Sequence, residues 1–350
     1  MRTFLILLVL AIAGLVVTSY WVSRPLFDEP LAVTSGDFEI LPTGTALTLA
    51  MTRQGRVLLV LGGNPETVRA VDINDTLNTS FADTVSAYQQ AGYAQLAVLQ
   101  SAEYETFAIS ELGVPLQPVY PHIAAGTNYR AHADELGLEG EPFLFPKRTE
   151  ATTWDAAVPL RTRLDYEAEL CAVPLAVHTT AAPAPLGFVL CNDFTDRWDL
   201  LRHIDTDQPM GRTGFSFAKG GPGMLPVGPF LVVPLQAADV QGFYADIQLQ
   251  LAVNGRLRQR AEAGLMIWSP HEILNRALAD CAVAYPHGDE TLRLTDCGGV
   301  QAGTLILTGT PAGVIFRLAN IWAPYAYLGT GDEVLVTAAH LGLLRNQIGG

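Results

Sequence analysis

The 350-residue chain has no run of lysine or arginine, and its 21 basic residues face 35 acidic ones, a formal net charge of −14. That balance excludes a nucleic-acid partner, which needs a basic patch to meet the phosphate backbone. Cysteine is scarce. Cys171, Cys191, Cys281 and Cys297 are too few and too dispersed for a disulfide framework, and no C-x-x-C pair offers a zinc site. The expectation is therefore free, buried thiols. Internal repeats and low-complexity tracts are absent. The phosphate-loop-like "LGGNPE" lacks a following Gly-Lys-Ser/Thr, so it reads as an ordinary turn. Apolar residues are plentiful at 49%, enough for a sizeable core and against disorder.

One long hydrophobic run stands at the start, "MRTFLILLVLAIAGLVVTSYWVSRP". About 20 residues without charge suffice to cross a bilayer, and Tyr20 and Trp21 fall where an aromatic belt would. The rival reading is a cleaved signal peptide with "AIA" before Gly14, but apolar residues continue past that point. The expectation is a single-pass membrane anchor at 3–22. Arg2 and the α-amino group before the run face only Arg24 after it, a slight lean towards a body outside the cytoplasm.

Beyond the anchor the chain divides near residue 120. Residues 28–115 read as a small α/β module: "RVLLVLGG" and "AQLAVL" look like strands, and "FADTVSAYQQAG" like a helix stopped by Gly92. Residues 121–350 are richer in Gly, Pro and short apolar runs, as in a β-rich domain with long loops. The fold class expected is α+β, mostly β.

The chemistry concentrates in "RLDYEAELCAV", residues 163–173. Read as a strand from Leu164 to Val173, it turns Asp165, Glu167, Glu169 and Cys171 to one face. An E-x-E alone is most simply a solvated face. A second apolar strand, "LGFVLCNDFTDRWDL", ends in Asp193, and if the two strands approach each other Glu167, Glu169 and Asp193 converge. Three carboxylates without a cation repel and raise each other's pKa, whereas a divalent ion removes the conflict. An all-oxygen set suits Mg²⁺, with Mn²⁺ or Ca²⁺ as substitutes.

With these residues quoted, the chain resembles the fumarylacetoacetate hydrolase family in order from about Ala124 to Ile348. "AAGTNYRAHADELG" resembles the family's G-x-N-Y-x-x-H-x-x-E element, "PFLFPKRT" its lysine-bearing loop, and "LDYEAEL" with "CNDFTDRW" its metal carboxylates. "GFSFAKG", "LAVNGRLRQ", "GTLILTGTPAGV", "LGTGDEVLV" and "LGLLRNQI" complete the series. The resemblance implies a mixed β-roll catalytic domain at 121–350 around a Mg²⁺ site, a homodimer, and a small-molecule 2-oxo acid substrate. It implies Glu167, Glu169 and Asp193 as metal ligands and Lys219 as the cation beside a developing enolate. Thr310, Arg197, Lys147 and Gln259 are implied for substrate binding. The implied reaction is Mg²⁺-dependent C–C hydrolysis of an acylpyruvate- or fumarylpyruvate-type substrate. Decarboxylation, tautomerisation or isomerisation of 2-oxo or 2-hydroxydienoic acids is the alternative, and a noncatalytic membrane-tethered binding protein a third.

His132 and Glu135, at spacing i, i+3, share a helical face, so the carboxylate can orient an imidazole that deprotonates water. The plainer reading is a polar residue near a helix end capped by Gly137; the family's H-x-x-E at this place favours catalysis. Two departures stand out. Trp198 occupies the family's second acidic position, after a retained Arg197, and "IFRLANIWAPYAYLGTGD" is longer and more apolar than a family loop needs to be.

Overall fold

The computed structural model describes residues 24–349 except 32, 34, 236–239, 318, 319 and 322. The strands are β1 (Ala46–Met51), β2 (Val57–Gly63), β3 (Thr67–Asp72), β4 (Glu105–Ala108), β5 (Val119–Gly126) and β6 (Phe143–Lys147). There follow β7 (Leu164–Asp165), β8 (Ala168–Pro174), β9 (Leu186–Asn192), β10 (Thr195–Asp196), β11 (Phe230–Pro234) and β12 (Gln248–Val253). The last are β13 (Arg256–Glu262), β14 (Tyr285–His287), β15 (Glu290–Leu292), β16 (Thr304–Leu307), β17 (Glu333–Ala338) and β18 (Gly342–Gln347). Among the described residues the helices are α1 (Ile73–Leu77), α2 (Thr84–Val98), α3 (Arg130–Leu136), α4 (Arg197–His203), α5 (Phe215–Ala218), α6 (Val240–Tyr244) and α7 (Pro270–Ala279).

Ten strands form one mixed sheet in the order β4-β3-β2-β1-β11-β9-β8-β16-β5-β6, with β16 and β5 parallel and the other pairs antiparallel. A four-stranded sheet, β13-β12-β17-β18, packs against β8 and β9. The mostly-β architecture expected from the sequence is present. The large sheet continues across the division expected near residue 120, because β1 pairs with β11 from Ala46↔Pro234 to Ala50↔Phe230.

Strand alternation sorts the core into two layers. Leu47, Leu49, Leu59, Val71, Val173 and Val189 lie on the face covered by α2. Ala46, Ala50, Leu170, Phe188 and Leu190 lie on the other, against Leu249, Leu251, Val334 and Val336 of the smaller sheet.

Four expectations are corrected. The run "AQLAVL" is not a strand but belongs to α2: Leu96 and Leu99 are buried at helical spacing while Val98 between them is exposed. The expected stop at Gly92 is present: at φ 73° and ψ 166° its backbone is non-helical, so α2 is two helical segments that meet there, and "AQLAVL" falls in the second. The strand expected from Leu164 to Val173 is broken, with Tyr166 and Glu167 bridging β7 and β8. The cysteines are not free: Cys171 bonds to Cys191 across β8 and β9, and Cys281 to Cys297. Their spacing along the chain, 20 and 16 residues, carries no trace of the β8–β9 pairing or of the approach of two turns that set the pairs' Cα atoms 5.9 and 5.1 Å apart. Finally, the membrane-anchored localisation is overturned: among the described residues no helix is long and apolar enough to cross a membrane. The run at 3–22 lies outside the described residues.

Candidate active site

The site sits where β8 begins and β9 ends. Asp193 follows β9 directly, and Glu169 lies on β8 opposite Cys191, so strand pairing sets their separation. Glu167 is placed by the break before β8: its N–H donates to Asn192 Oδ1 at 2.9 Å, and its carbonyl accepts from Asp193 N at 2.9 Å. Glu167, Glu169 and Asp193 each offer an oxygen within 4.8 Å of the others, and all three are buried.

Cations answer only part of this charge. Lys219, at the C-terminal end of α5, donates to Glu167 Oε2 at 2.6 Å, Asp193 Oδ2 at 2.7 Å and Thr195 Oγ1 at 2.8 Å. All three ammonium protons are used, so Lys219 acts on its surroundings as a fixed positive charge. Burial opposes that charge, but Asp193 and Glu167 outweigh burial and raise the Lys219 pKa. Burial likewise pushes the Glu167 carboxyl up, yet Lys219 and Arg197 together hold it well below the usual carboxylate range. Lys147 lies behind Asp193, donating to its Oδ1 at 2.5 Å and to Met224 O at 2.9 Å, and burial lowers its pKa despite that partner.

Glu169 differs from its neighbours. Its Oε2 accepts from Gly309 N at 2.8 Å, a neutral donor, and it forms no ion pair among the described residues. Burial, with Asp193 and Glu167 beside it, pushes its pKa well up. A buried, all-oxygen cluster with one carboxylate lacking a counter-charge fits a divalent cation.

Arg197, the first residue of α4, donates through Nε to Asp165 Oδ2 at 2.8 Å and through Nη2 to Glu167 Oε1 at 2.5 Å. Asp165 also accepts from Ile315 N at 2.9 Å and Phe316 N at 3.0 Å. Asp165 therefore buttresses Arg197 and ties the loop after β16 to the site, a role not read from the sequence. The family's second acidic position is not needed for this: Trp198 is part-exposed, with the Arg163 guanidinium 4.6 Å from its ring centroid.

On α3, His132 Nδ1 lies 2.8 Å from Glu135 Oε1, and Gly313 N donates to both Glu135 oxygens at 3.1 and 3.0 Å. A carboxylate so held accepts from Nδ1–H, which leaves Nε2 as the basic atom. Gly137, in the left-handed region at φ 66°, caps the helix as expected.

A cavity of about 230 Å³ lies beside these parts, with His132, Glu167, Arg197, Lys219 and Thr310 in its lining. Gln259 and Lys147 do not line it. Gln259 Nε2 donates to Thr310 Oγ1 at 2.8 Å and Pro311 O at 2.7 Å while its Oε1 accepts from Ala168 N, so it positions Thr310. Asn128 was also missed; it donates to Thr308 O at 2.7 Å and Trp268 O at 3.0 Å, clamping the loop that carries Gly309. The N-Y pair in "GTNYRAH" was the available signal.

The family model for the fumarylacetoacetate (FAA) hydrolase C-terminal region matches residues 121–349. The chain belongs to the fumarylacetoacetate hydrolase family. It is an enzyme of that family, whose structural neighbours include hydrolases and isomerases. An uncharacterized protein of Staphylococcus aureus (strain USA300) is 28% identical over 281 residues, 76% of this chain and 82% of the relative. The fumarylacetoacetate hydrolase of the psychrophile Exiguobacterium antarcticum matches 87% of this chain and 99% of its own, with TM-score 0.63 and 22% identity. A 2-hydroxyhepta-2,4-diene-1,7-dioate isomerase from Mycobacterium marinum matches 87% and 98%, with TM-score 0.56 and 21% identity. At these identities the two structures establish the shared fold.

Proposed function

We propose that this family member is a Mg²⁺-dependent hydrolase that cleaves the C–C bond of an acylpyruvate- or fumarylpyruvate-type 2-oxo acid. The observation that supports the reading is that His132, paired with Glu135, and Glu167 of the carboxylate cluster line one cavity. Glu167, Glu169 and Asp193 would hold the ion, and their hard oxygens suit Mg²⁺ or Mn²⁺. Once bound, it would polarise the keto and carboxylate oxygens of a 2-oxo acid. The chain's own groups supply the rest. Glu135, fixed by Gly313 N–H, holds the imidazole so that His132 Nε2 can take a proton from water. Lys219 contributes positive potential where negative charge gathers as the C–C bond breaks, and its filled hydrogen bonds keep it in place. Thr310 lines the cavity with its hydroxyl held between Gln259 Nε2 and Ala168 O, and would meet the substrate carboxylate by giving up the latter bond.

Isomerisation of a 2-hydroxydienoate is the second reading, favoured because His132 and Lys219 line one cavity and proton transfer between carbons needs no nucleophilic water. Product analysis separates them. The full chain with Mg²⁺ or Mn²⁺ and a panel of acylpyruvates should release pyruvate and the matching carboxylic acid, followed by NMR. Isomer formation without acid release would replace the hydrolytic reading with the second.

A further inference from the structure

We infer that the site accepts a 2-oxo acid whose far end is apolar and uncharged, an acylpyruvate with an alkyl or aryl acyl group, and disfavours a second carboxylate there. The inference rests on the 2-oxo acid reading just given. Beyond the charged residues, the cavity is lined by Leu138, Phe143, Leu200, Ile204, Met210 and Phe215. Its volume of about 230 Å³ exceeds the roughly 150 Å³ that admits a benzene ring. The aromatic part of the wall is packed, with ring centroids 5.1 Å apart for Phe143 and Phe215 and 4.9 Å for Phe145 and Phe215.

Two glycines hold Phe143 there. A Cβ at Gly126 would stand 2.2 Å from its ring, and one at Gly211 would stand 2.7 Å from the ring and 2.6 Å from Leu144 O. Gly211 also has φ +88°, a conformation that L side chains rarely adopt. The chain thus lacks side chains where they would push the ring aside, and the apolar wall is shaped before substrate arrives.

The cavity's cations are already engaged. Among the described lining residues these are Arg197, bound to Asp165 and Glu167, and Lys219, with all three donors used. A second carboxylate there would lose its water and meet, among the described lining residues, no cation whose charge is not already paired with Asp165, Glu167 or Asp193. An alkyl group there gains about fourfold in affinity for each methylene buried.

The test uses the full chain with Mg²⁺ or Mn²⁺. Turnover is measured for 2,4-dioxo acids of rising alkyl length, for benzoylpyruvate, and for a dicarboxylate of matched length. Binding is measured separately by calorimetry with pyruvate, 2-oxohexanoate, phenylpyruvate and 2-oxoglutarate, which lack the cleavable β-dicarbonyl bond. Affinity and kcat/KM should rise about fourfold per methylene until the cavity is full. The dicarboxylate should fall on the order of 10²-fold below its matched monoacid. Met210→Arg changes a wall residue that is 41% exposed, so it brings a cation to the far end with little disturbance and should narrow that gap by about tenfold. A dicarboxylate equal to its monoacid, affinity flat with length, or no binding at all overturns the inference. Affinity that rises with length while no substrate loses its acyl group leaves the apolar end standing and sinks the hydrolytic reading instead.

Discussion

The two ends of the cavity are built by different physics. On the polar side the lining residues Glu167, Arg197 and Lys219, with Asp165, Asp193 and Lys147 behind them, are buried and joined by ion pairs between 2.5 and 2.8 Å. On the other, rings and methyl groups meet by shape alone. Buried ion pairs add little net stability, since desolvation offsets their attraction, but a fully partnered network fixes atoms in place. An apolar wall stabilises by burial and tolerates change when volume is kept. The charged end should therefore govern whether chemistry happens, and the apolar end on what.

The sharpest way to break that contrast is Glu169→Gln. It keeps the size but removes the charge that has no partner, so Mg²⁺ affinity should fall by more than the ~10–100-fold typical of losing an outer partner of a ligand. The metal-free variant should unfold at the same or a higher temperature, because like-charge crowding is relieved. Calorimetric titration and thermal melts read the two effects separately, and unchanged Mg²⁺ affinity would remove Glu169 from the ligand set.

Next in size is His132→Ala, which leaves the carboxylates and Lys219 intact. Hydrolytic turnover should drop by roughly 10²-fold or more, while Mg²⁺ affinity and proton exchange beside the ketone, followed by NMR in deuterated buffer, should persist. Hydrolysis at the parent rate would refute the dyad assignment.

Gly126→Ala attacks the other end by pressing on Phe143, whose ring lies 2.2 Å from the added Cβ. Overpacking of this kind costs about 1–3 kcal/mol. Denaturant titration should show that loss and kinetics a weaker dependence on acyl length, with Mg²⁺ affinity kept.

His122, paired in register with Lys147, supplies a pH-dependent comparison. Burial, reinforced by Lys147, lowers its pKa from 6.5 to about 3. The unfolded chain then binds the proton first. Its contribution to stability is complete above the unfolded value and is lost as pH falls through the window between the two, by about 1.4 kcal/mol per unit. Urea titrations at pH 6 and pH 5 should show that slope, flattened in His122→Gln; an equal slope in the variant would assign it to other groups.

The smallest effect belongs to Trp198→Ala. With Asp165 holding Arg197, losing the contact with Arg163 should cost about 0.5–1 kcal/mol and leave turnover nearly unchanged. A large loss of turnover would mean that Trp198 supports the site after all.

Much of the charged end was legible in the chain. Carboxylates two residues apart before an apolar strand, a third at the end of another, and a His–Glu pair one helical turn apart are patterns that backbone geometry converts directly into proximity. The apolar end was not. Phe143, Leu200, Met210 and Phe215 come from separate elements, and nothing in an isolated apolar residue distinguishes a cavity wall from core. Asp165 was placed on the same face as the glutamates, but its bond to Arg197 depends on the pairing of β7 with β10, Asp165 opposite Thr195.

The chain's order of residues by itself determined the mostly-β class and the His132–Glu135 pairing, because each rests on local periodicity; it offered the three carboxylates, but their convergence needed the pairing of β8 with β9. Tertiary structure alone decided the rest. It decided that "AQLAVL" is helical, since burial of Leu96 and Leu99 follows the surface that α2 covers. It decided that the cysteines pair, since cross-strand register and loop approach are absent from linear spacing. It decided that Lys219 is a fixed charge rather than a free donor, because its three partners, Glu167, Asp193 and Thr195, are brought together only where β8, β9 and β10 meet.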